Sequence, residues 1–255
     1  MKIVTYNVNG IRAALKKGLL DWIDEEAPDI FCVQETKAQS DQVDFSPFHD
    51  RGYHVYWHQA EKKGYSGVAI FSKIEADAVT YGCNVKDYDT EGRIIRVDYK
   101  DFSLLNVYIP SGTSGEIRQA YKMVWLEDFK NYILEIRKAK PNLLICGDVN
   151  IAHHPIDIHD PIGNKKSSGF LPEEREWLTE FLETGMLDVF RHFNKEPHQY
   201  SWWTYRQNAR MNNKGWRIDY FFATLGMKEY ITNALILPEA RHSDHCPVCI
   251  KIDFN

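Results

Sequence analysis

Eight residues, Leu143-Leu144-Ile145-Cys146-Gly147-Asp148-Val149-Asn150, constrain this chain more than any other stretch. Four apolar side chains in a row, after Pro141 and Asn142, predict a short strand covered on both faces. Gly147 then interrupts the run and lets the backbone pass close to a neighbour. Asp148 and Asn150 follow two apart, so in extended chain both side chains aim to the same side. A carboxylate and a carboxamide leaving the C-terminal end of a buried strand stand where open α/β sheets place their ligands. Taken alone, the segment reads better as a strand entering an Asx turn. Recurrence of the pattern elsewhere turns it into a candidate site.

Residues 3–8 alternate as a strand that stops at Asn7-Val8-Asn9-Gly10. A helical stretch with Leu19, Leu20 and Ile23 on one face ends before Pro28, and Ile30-Phe31-Cys32-Val33 is a second buried strand running into Gln34-Glu35-Thr36-Lys37. Such a strand-helix-strand unit is a right-handed parallel crossover. Further strands are predicted over 53–58, 68–72, 202–205, 218–223 and 246–254, and 93–99 pairs with 102–109 as a hairpin about Lys100-Asp101. A long helix is predicted over 116–138, with Trp125, Phe129, Tyr132, Ile133 and Ile136 as its core stripe. Pro172 opens another, with Glu173 and Glu174 well placed against its dipole and Gly185 as its stop. Mixed hairpins and crossovers predict an α/β protein with two packed mixed β-sheets flanked by helices. No linker, repeat or low-complexity tract divides the 255 residues, so 1–255 reads as one domain.

With 44% hydrophobic and 26% charged residues, the composition is that of an ordinary soluble globular chain. No apolar run approaches the roughly 18 residues of a membrane span. The N-terminus, Met1-Lys2-Ile3-Val4-Thr5-Tyr6-Asn7, turns polar too soon for a signal peptide. The expected compartment is therefore the cytoplasm, or the nucleus in a eukaryotic source, with no membrane partner. Cys32 and Cys146 lie in apolar runs as small hydrophobes, and Cys246-Pro247-Val248-Cys249 leads into a strand, where a redox pair would open a helix. Net charge is −5, yet positive charge clusters at Lys62-Lys63, at Lys165-Lys166 and among Arg206, Arg210, Lys214 and Arg217. A basic face on an acidic protein is enough to hold phosphates.

The polar residues at strand ends are Asn7, Glu35, Tyr108, Asp148, Asn150, Asp219, Asp244 and His245. If those ends share one edge, crowded carboxylates repel one another unless a cation neutralises them or one holds a proton. Oxygen donors without paired thiolates favour a hard ion, Mg²⁺ or Mn²⁺, over zinc. Mg²⁺ held by few carboxylates completes its shell with water and phosphate, which points to phosphoryl chemistry. An Asp219–His245 pair would fix the imidazole tautomer and keep the ring protonated beside a phosphate. His153-His154 and His159 match no usual zinc spacing; adjacent histidines are expected to point apart, and these are read as structural.

Nine segments in order carry a resemblance: Asn7-Val8-Asn9-Gly10-Ile11-Arg12, Gln34-Glu35-Thr36-Lys37, Lys63-Gly64-Tyr65-Ser66-Gly67-Val68, Tyr108-Ile109-Pro110, Gly147-Asp148-Val149-Asn150, Gly163-Asn164-Lys165-Lys166, Trp203-Thr204-Tyr205, Gly215-Trp216-Arg217-Ile218-Asp219-Tyr220 and Ser243-Asp244-His245-Cys246-Pro247. From residue 3 to about 252 the chain resembles the exonuclease III family of apurinic/apyrimidinic endonucleases, within the endonuclease/exonuclease/phosphatase superfamily. The resemblance implies a four-layered α/β sandwich that cuts duplex DNA 5′ to an abasic site, leaving a 3′-hydroxyl and a 5′-deoxyribose phosphate. It also implies 3′-phosphodiesterase and 3′-to-5′ exonuclease activity on 3′-blocked ends, base excision repair, Mg²⁺ as cofactor with Mn²⁺ as a possible substitute, and a monomer.

By the same resemblance Glu35 is the principal metal ligand, with Asp244 and Asn7 near the ion and Asp148, Asn150 and His245 at its edge. Asp148 prepares the attacking water, Asn150 orients it, His245 supported by Asp219 binds the phosphate, and Tyr108 lies near the scissile group. Trp202, Trp216 and Ile218 stand where the family builds its pocket for a flipped sugar. Arg93, Asn164, Lys165, Lys166 and Arg210 are the candidates for DNA contact. Ser111 and Ser167 replace asparagines found in many members, and Asn9 replaces a residue acidic in some. The alternatives are a less specific nuclease or phosphoesterase of the same superfamily, and a DNA-binding module without catalysis.

Overall fold

The computed structural model describes residues 1–254. Its strands are β1 (Lys2–Asn7), β2 (Ile30–Gln34), β3 (His54–His58), β4 (Val68–Ser72), β5 (Ala78–Tyr81), β6 (Ile94–Asp98), β7 (Ser103–Tyr108), β8 (Leu143–Asp148), β9 (Met186–Asp188), β10 (Asp219–Thr224), β11 (Ile231–Ile236) and β12 (Val248–Ile252). They form two six-stranded sheets, ordered β11-β12-β1-β2-β4-β3 and β5-β6-β7-β8-β10-β9. In each sheet one pair is parallel, β1 with β2 and β7 with β8; the other pairs are antiparallel. The mixed character follows from connection length. Helices Ile11–Lys16 and Leu19–Glu26 carry the first parallel crossover and helix Glu116–Ala139 the second, whereas residues 99–102 suffice to join the antiparallel pair β6 and β7.

Three apolar layers hold the sandwich. Ile3, Cys32, Ile70, Val97, Leu104, Cys146 and Phe221 meet between the two sheets. On one outer face Phe31, Val33 and Phe71 pack against Ile11, Leu19, Ile23 and Phe48. On the other, Leu105, Ile145 and Phe222 pack against Trp125, Phe129, Ile133, Trp177 and Phe181. Alternate side chains of each central strand thus face a sheet and a helix layer, the reason β8 reads as a continuous apolar run. Each side chain so buried contributes about 1.5–3 kcal/mol, and the strands are fixed from both faces. The five cysteines are all free; Cys32, Cys146, Cys246 and Cys249 are buried and Cys83 is half-buried. No helix among the described residues is long and apolar enough to cross a membrane.

Gly147 meets its expectation. Its φ is +139°, and a Cβ there would lie 1.9 Å from the Val107 carbonyl oxygen on β7. Some expectations need correction. Residues 202–205 form no strand; Trp202 makes single bridges to Trp216 and His245, because scattered bonds such as Trp203 N–H to the Asp244 carbonyl hold the segment as a loop. Strands β5, β9 and β11 carry no clear sequence signal. All three are edge strands, where the period-2 signal fades. His153 and His154 do not point apart: their rings lie 3.7 Å apart between centroids, with His153 Nε2 2.8 Å from Thr179 Oγ1.

Candidate active site

The C-terminal ends of β1, β2, β7 and β8 meet the N-terminal ends of β10 and β12 at one rim, as the registers Asn7↔Gln34, Tyr108↔Asp148 and Asp219↔Asp148 require. Two strained turns sharpen that edge. Glu35, with φ +53°, and Asn150, with φ +56°, are non-glycine residues in the left-handed region just past β2 and β8. Gly10 and Ile11 N–H groups donate to the Glu35 and Thr36 carbonyls, and Thr36 and Lys37 N–H groups to Gly67 and Ser66, which holds the first turn.

These ends bring one polar group together from both sheets. Asn7 Nδ2 donates to Glu35 Oε1 at 2.9 Å and to Asp148 Oδ2 at 2.8 Å. His245 Nδ1 lies 2.9 Å from Asp219 Oδ2, which also accepts from Ser201 Oγ at 2.6 Å, while His245 Nε2 stands 3.9 Å from Asp148 Oδ2. The Asn150 N–H donates to Asp148 Oδ1 at 2.9 Å and its Nδ2 to the Ile109 carbonyl at 2.9 Å. Glu35, Asp148 and His245 each present an atom within 4.8 Å of the others; the two carboxylates suit a small cation, and the imidazole adjoins them. Asp244 stands beside this trio, with Oδ1 held by Asn9 Nδ2 at 2.8 Å and Oδ2 by Trp202 Nε1 at 3.1 Å. Asn7 turns its amide nitrogen to the carboxylates, while its Oδ1 accepts from the Asn9 N–H at 3.0 Å.

The electrostatics follow from burial and company. Burial, then the Asp219 and Glu35 charges, push Asp148 up to about 7 against the pull of His245. Burial would lower His245, but the charge and hydrogen bond of Asp219, with Asp148 and Asp244 behind them, raise it to about 10. Glu35 is pushed up by burial yet ends below its usual range, because Lys37 at 2.6 Å, the Asn7 amide and His245 outweigh it. Burial and the Glu35 carboxylate hold the Tyr108 phenol protonated, opposed by Arg93. Asp148 thus rises because it is buried and, after that, because carboxylates crowd it, and a hard divalent cation relieves the crowding through oxygen ligands. The donor set fits one.

A cavity of about 630 Å³ opens on these groups, large enough for a nucleotide-sized ligand. Glu35, Tyr108, Asp148, Asn150, Asp244 and His245 line one part; Trp202, Trp216 and Ile218 line another, and Asn164, Lys166, Ser111 and Ser167 a third. The rings of Trp202 and Trp216 stand edge to face, 6.1 Å apart. Lys165 and Lys166 are exposed. Asn164 turns partly into its own loop, Nδ2 donating to the Asp160 carbonyl at 2.8 Å.

Two DNA-contact candidates are corrected. Arg93 is 2% exposed, stacks 4.7 Å from the Tyr108 ring centroid and donates to Glu91, Tyr65 and the Tyr108 carbonyl, so it supports the tyrosine and is no surface cation. Arg210 donates to the carbonyls of Pro238, Ala240, Ser243 and His245, so its guanidinium braces the loop that carries Asp244 and His245. Arg217 also leaves the basic cluster: it is fully buried, 2.7 Å from both Asp157 and Asp188. Sequence reasoning gave no role to Lys37, which pairs with Glu35 and donates to Asn9 Oδ1 at 2.6 Å. Its only sequence signal was a cation two residues past a strand-end acid.

Residues 4–245 match the model of the endonuclease/exonuclease/phosphatase family. The chain is 46% identical over 255 residues to an exodeoxyribonuclease of Bacillus subtilis (strain 168), covering 99% of this chain and 100% of that one. It is 42% identical over 253 residues to the DNA repair nuclease APEX1 of Danio rerio, covering 98% of this chain and 81% of that protein. Among solved structures, an AP endonuclease from Archaeoglobus fulgidus superposes with TM-score 0.91 at 33% identity over 99% of each chain. A variant of the 3′ phosphatase NExo from Neisseria, bound to a product DNA hairpin, superposes with TM-score 0.93 at 27% identity over 100% of each.

Proposed function

Because the chain belongs to the endonuclease/exonuclease/phosphatase family and is a DNA repair nuclease of the exodeoxyribonuclease and AP endonuclease kind, we propose that it hydrolyses the phosphodiester 5′ to abasic sites in duplex DNA. The reading extends to 3′-blocked ends through 3′-phosphodiesterase and 3′-to-5′ exonuclease activity. It takes the cation as Mg²⁺, replaceable by Mn²⁺. One chain supplies every group used, so the proposed working form is a single-domain monomer, in the cytoplasm or, in a eukaryote, the nucleus. The observation that carries the reading is the union of the Glu35–Asp148–His245 trio with the Trp202–Trp216–Ile218 lining in one cavity.

Glu35 and Asp148 would hold the cation, with Asn7 and Asp244 steadying them. When bound, it polarises a phosphate oxygen and offsets the negative charge that in-line attack builds there. Asp148, a carboxylate within reach of the attacking water, takes its proton as general base. Asn150 orients that water. His245, kept protonated by Asp219, donates from Nε2 to a non-bridging oxygen, and the neutral Tyr108 phenol donates beside it. The bond from phosphorus to the water oxygen forms as the bond to the 3′ oxygen breaks, and that oxygen takes a proton from solvent, leaving a 3′-hydroxyl and a 5′-deoxyribose phosphate. A sugar without its base offers an apolar edge to the tryptophans and Ile218. Lys165 and Lys166 would meet the backbone without reading sequence.

The test is incision of a duplex carrying one abasic analogue, beside an undamaged duplex, with and without Mg²⁺. Metal-dependent cutting at the analogue alone supports the reading. Equal cutting of both duplexes would replace it with a general nuclease, and binding without incision with a DNA-binding module.

A further inference from the structure

Behind the site lies a buried ion pair that none of this chemistry uses. Lys122, from helix Glu116–Ala139, and Glu174, from helix Pro172–Glu183, are both fully buried, with Nζ 2.6 Å from Oε1. Desolvating two charges costs about what their attraction returns, so stability alone gives little reason for such a pair. Its other bonds are informative. Lys122 Nζ also donates to the backbone carbonyl of Asn150 at 2.8 Å. Asn150 holds a left-handed φ of +56°, a turn conformation open to asparagine, and the Lys122 bond fixes the carbonyl of that turn. Glu174 Oε2 accepts from the Gly169 and Leu171 N–H groups at 2.6 and 3.0 Å. Gly169 lines the cavity, and a Cβ there would stand 3.1 Å from both the Asn150 carbonyl oxygen and the Trp216 ring. One charge pair is therefore bonded to the turn carrying Asn150 and to the wall that seats Trp216.

We propose that Lys122 and Glu174 are positioning residues, through which the two long helices fix the Asn150 carboxamide relative to Asp148 and hold the 169–171 wall in register with it. Lys122 acts on turnover through Asn150; Glu174 acts on the shape of the pocket. This rests on the water-orienting role given to Asn150 above. A rigid turn matters because misplacing a reacting group by about 1 Å costs about 100-fold in rate.

The experiment is single-turnover incision of the abasic-analogue duplex in Mg²⁺ by the full chain, with melting temperature measured alongside. Lys122→Met is expected to lower the maximal rate by about 10- to 100-fold with the half-saturating DNA concentration changed less than about 3-fold; Lys122→Arg should restore most of the rate. Because Lys122→Met strands a buried carboxylate and can unfold the chain, Lys122→Met/Glu174→Gln removes both charges and should melt near the parent while staying as slow. Asn150→Ala supplies the decisive background. If Lys122 works through Asn150, adding Lys122→Met to Asn150→Ala lowers the rate by less than about 2-fold, since coupled residues do not act additively. The same loss in both backgrounds, or a full rate in the charge-free double variant, would overturn the inference alone. A full rate in Asn150→Ala itself would remove the reading of Asn150, and the inference with it.

Discussion

Asn7 and Asp148 come from different sheets, yet the carboxamide of one donates to the carboxylate of the other at 2.8 Å. The same nitrogen reaches Glu35 at 2.9 Å, so a single side chain sets the spacing of both acids. A neutral donor does this without consuming their charge, which leaves the pair free to take a cation.

Asn7→Ala is therefore expected to raise the Mg²⁺ concentration for half-maximal incision by about 10- to 100-fold, the usual effect of losing a group that orients metal ligands. A Mg²⁺ titration of incision rate checks it. An unchanged midpoint would mean that the acids hold their spacing unaided.

Gly147→Ala should cost about 3 kcal/mol or more, as severe backbone clashes do, because the added methyl would sit 1.9 Å from the Val107 carbonyl oxygen. Urea denaturation measures it. The relevant oxygen is backbone in a parallel strand pair, so β7 and β8 must part, and Tyr108 moves away from Asp148.

Asp157 accepts from Arg191 at 2.7 Å and Arg217 at 2.7 Å. Burial pushes its carboxyl up, but the two guanidinium groups, Arg217 foremost, hold it well below the usual range. The folded value is depressed, so this contribution is present above the unfolded value of about 3.9 and is lost as pH falls below it. Asp157→Asn should lose about 3–5 kcal/mol at pH 7 by stranding buried arginine charge. It should also weaken less than the parent between pH 5 and about 3. Urea midpoints across that range decide; parallel slopes in the two proteins would contradict the assignment.

Replacing Lys165 and Lys166 together by alanine should weaken duplex binding. If each meets one phosphate, the slope of log affinity against log salt falls by about 2. Fluorescence anisotropy at several salt concentrations reads both. A weaker complex with the parent slope would place the lysines away from the backbone.

Much of the site was legible because its residues cluster at strand ends. Leu143 to Ile145 announced a strand buried on both faces, which placed Asp148 at its end. Asn150 does not continue the extended chain but turns at φ +56° with its N–H on Asp148 Oδ1, the Asx turn that was the other reading of the segment. The Asp219–His245 bond was inferred and is present at 2.9 Å. Charged residues of the interior were not legible. Arg210 and Arg217 looked like surface cations, since their carboxylate and carbonyl partners lie up to 60 residues away in sequence, and Arg93 is buried between Tyr65 and Tyr108, 28 and 15 residues away. Separation along the chain likewise hid Lys122, whose partners Asn150 and Glu174 lie 28 and 52 residues further on. Edge strands such as β9 escaped because three residues with mixed exposure carry no period.

The central claim, that Asp148 is the base of a cation-assisted phosphodiester hydrolysis, is tested most directly by Asp148→Asn. The measurement pairs single-turnover incision of the abasic-analogue duplex in saturating Mg²⁺ with the affinity for that duplex. The account predicts a rate lower by about 10²- to 10⁴-fold, the range of a lost general base, with affinity within a few fold of the parent. Incision at the parent rate would contradict it.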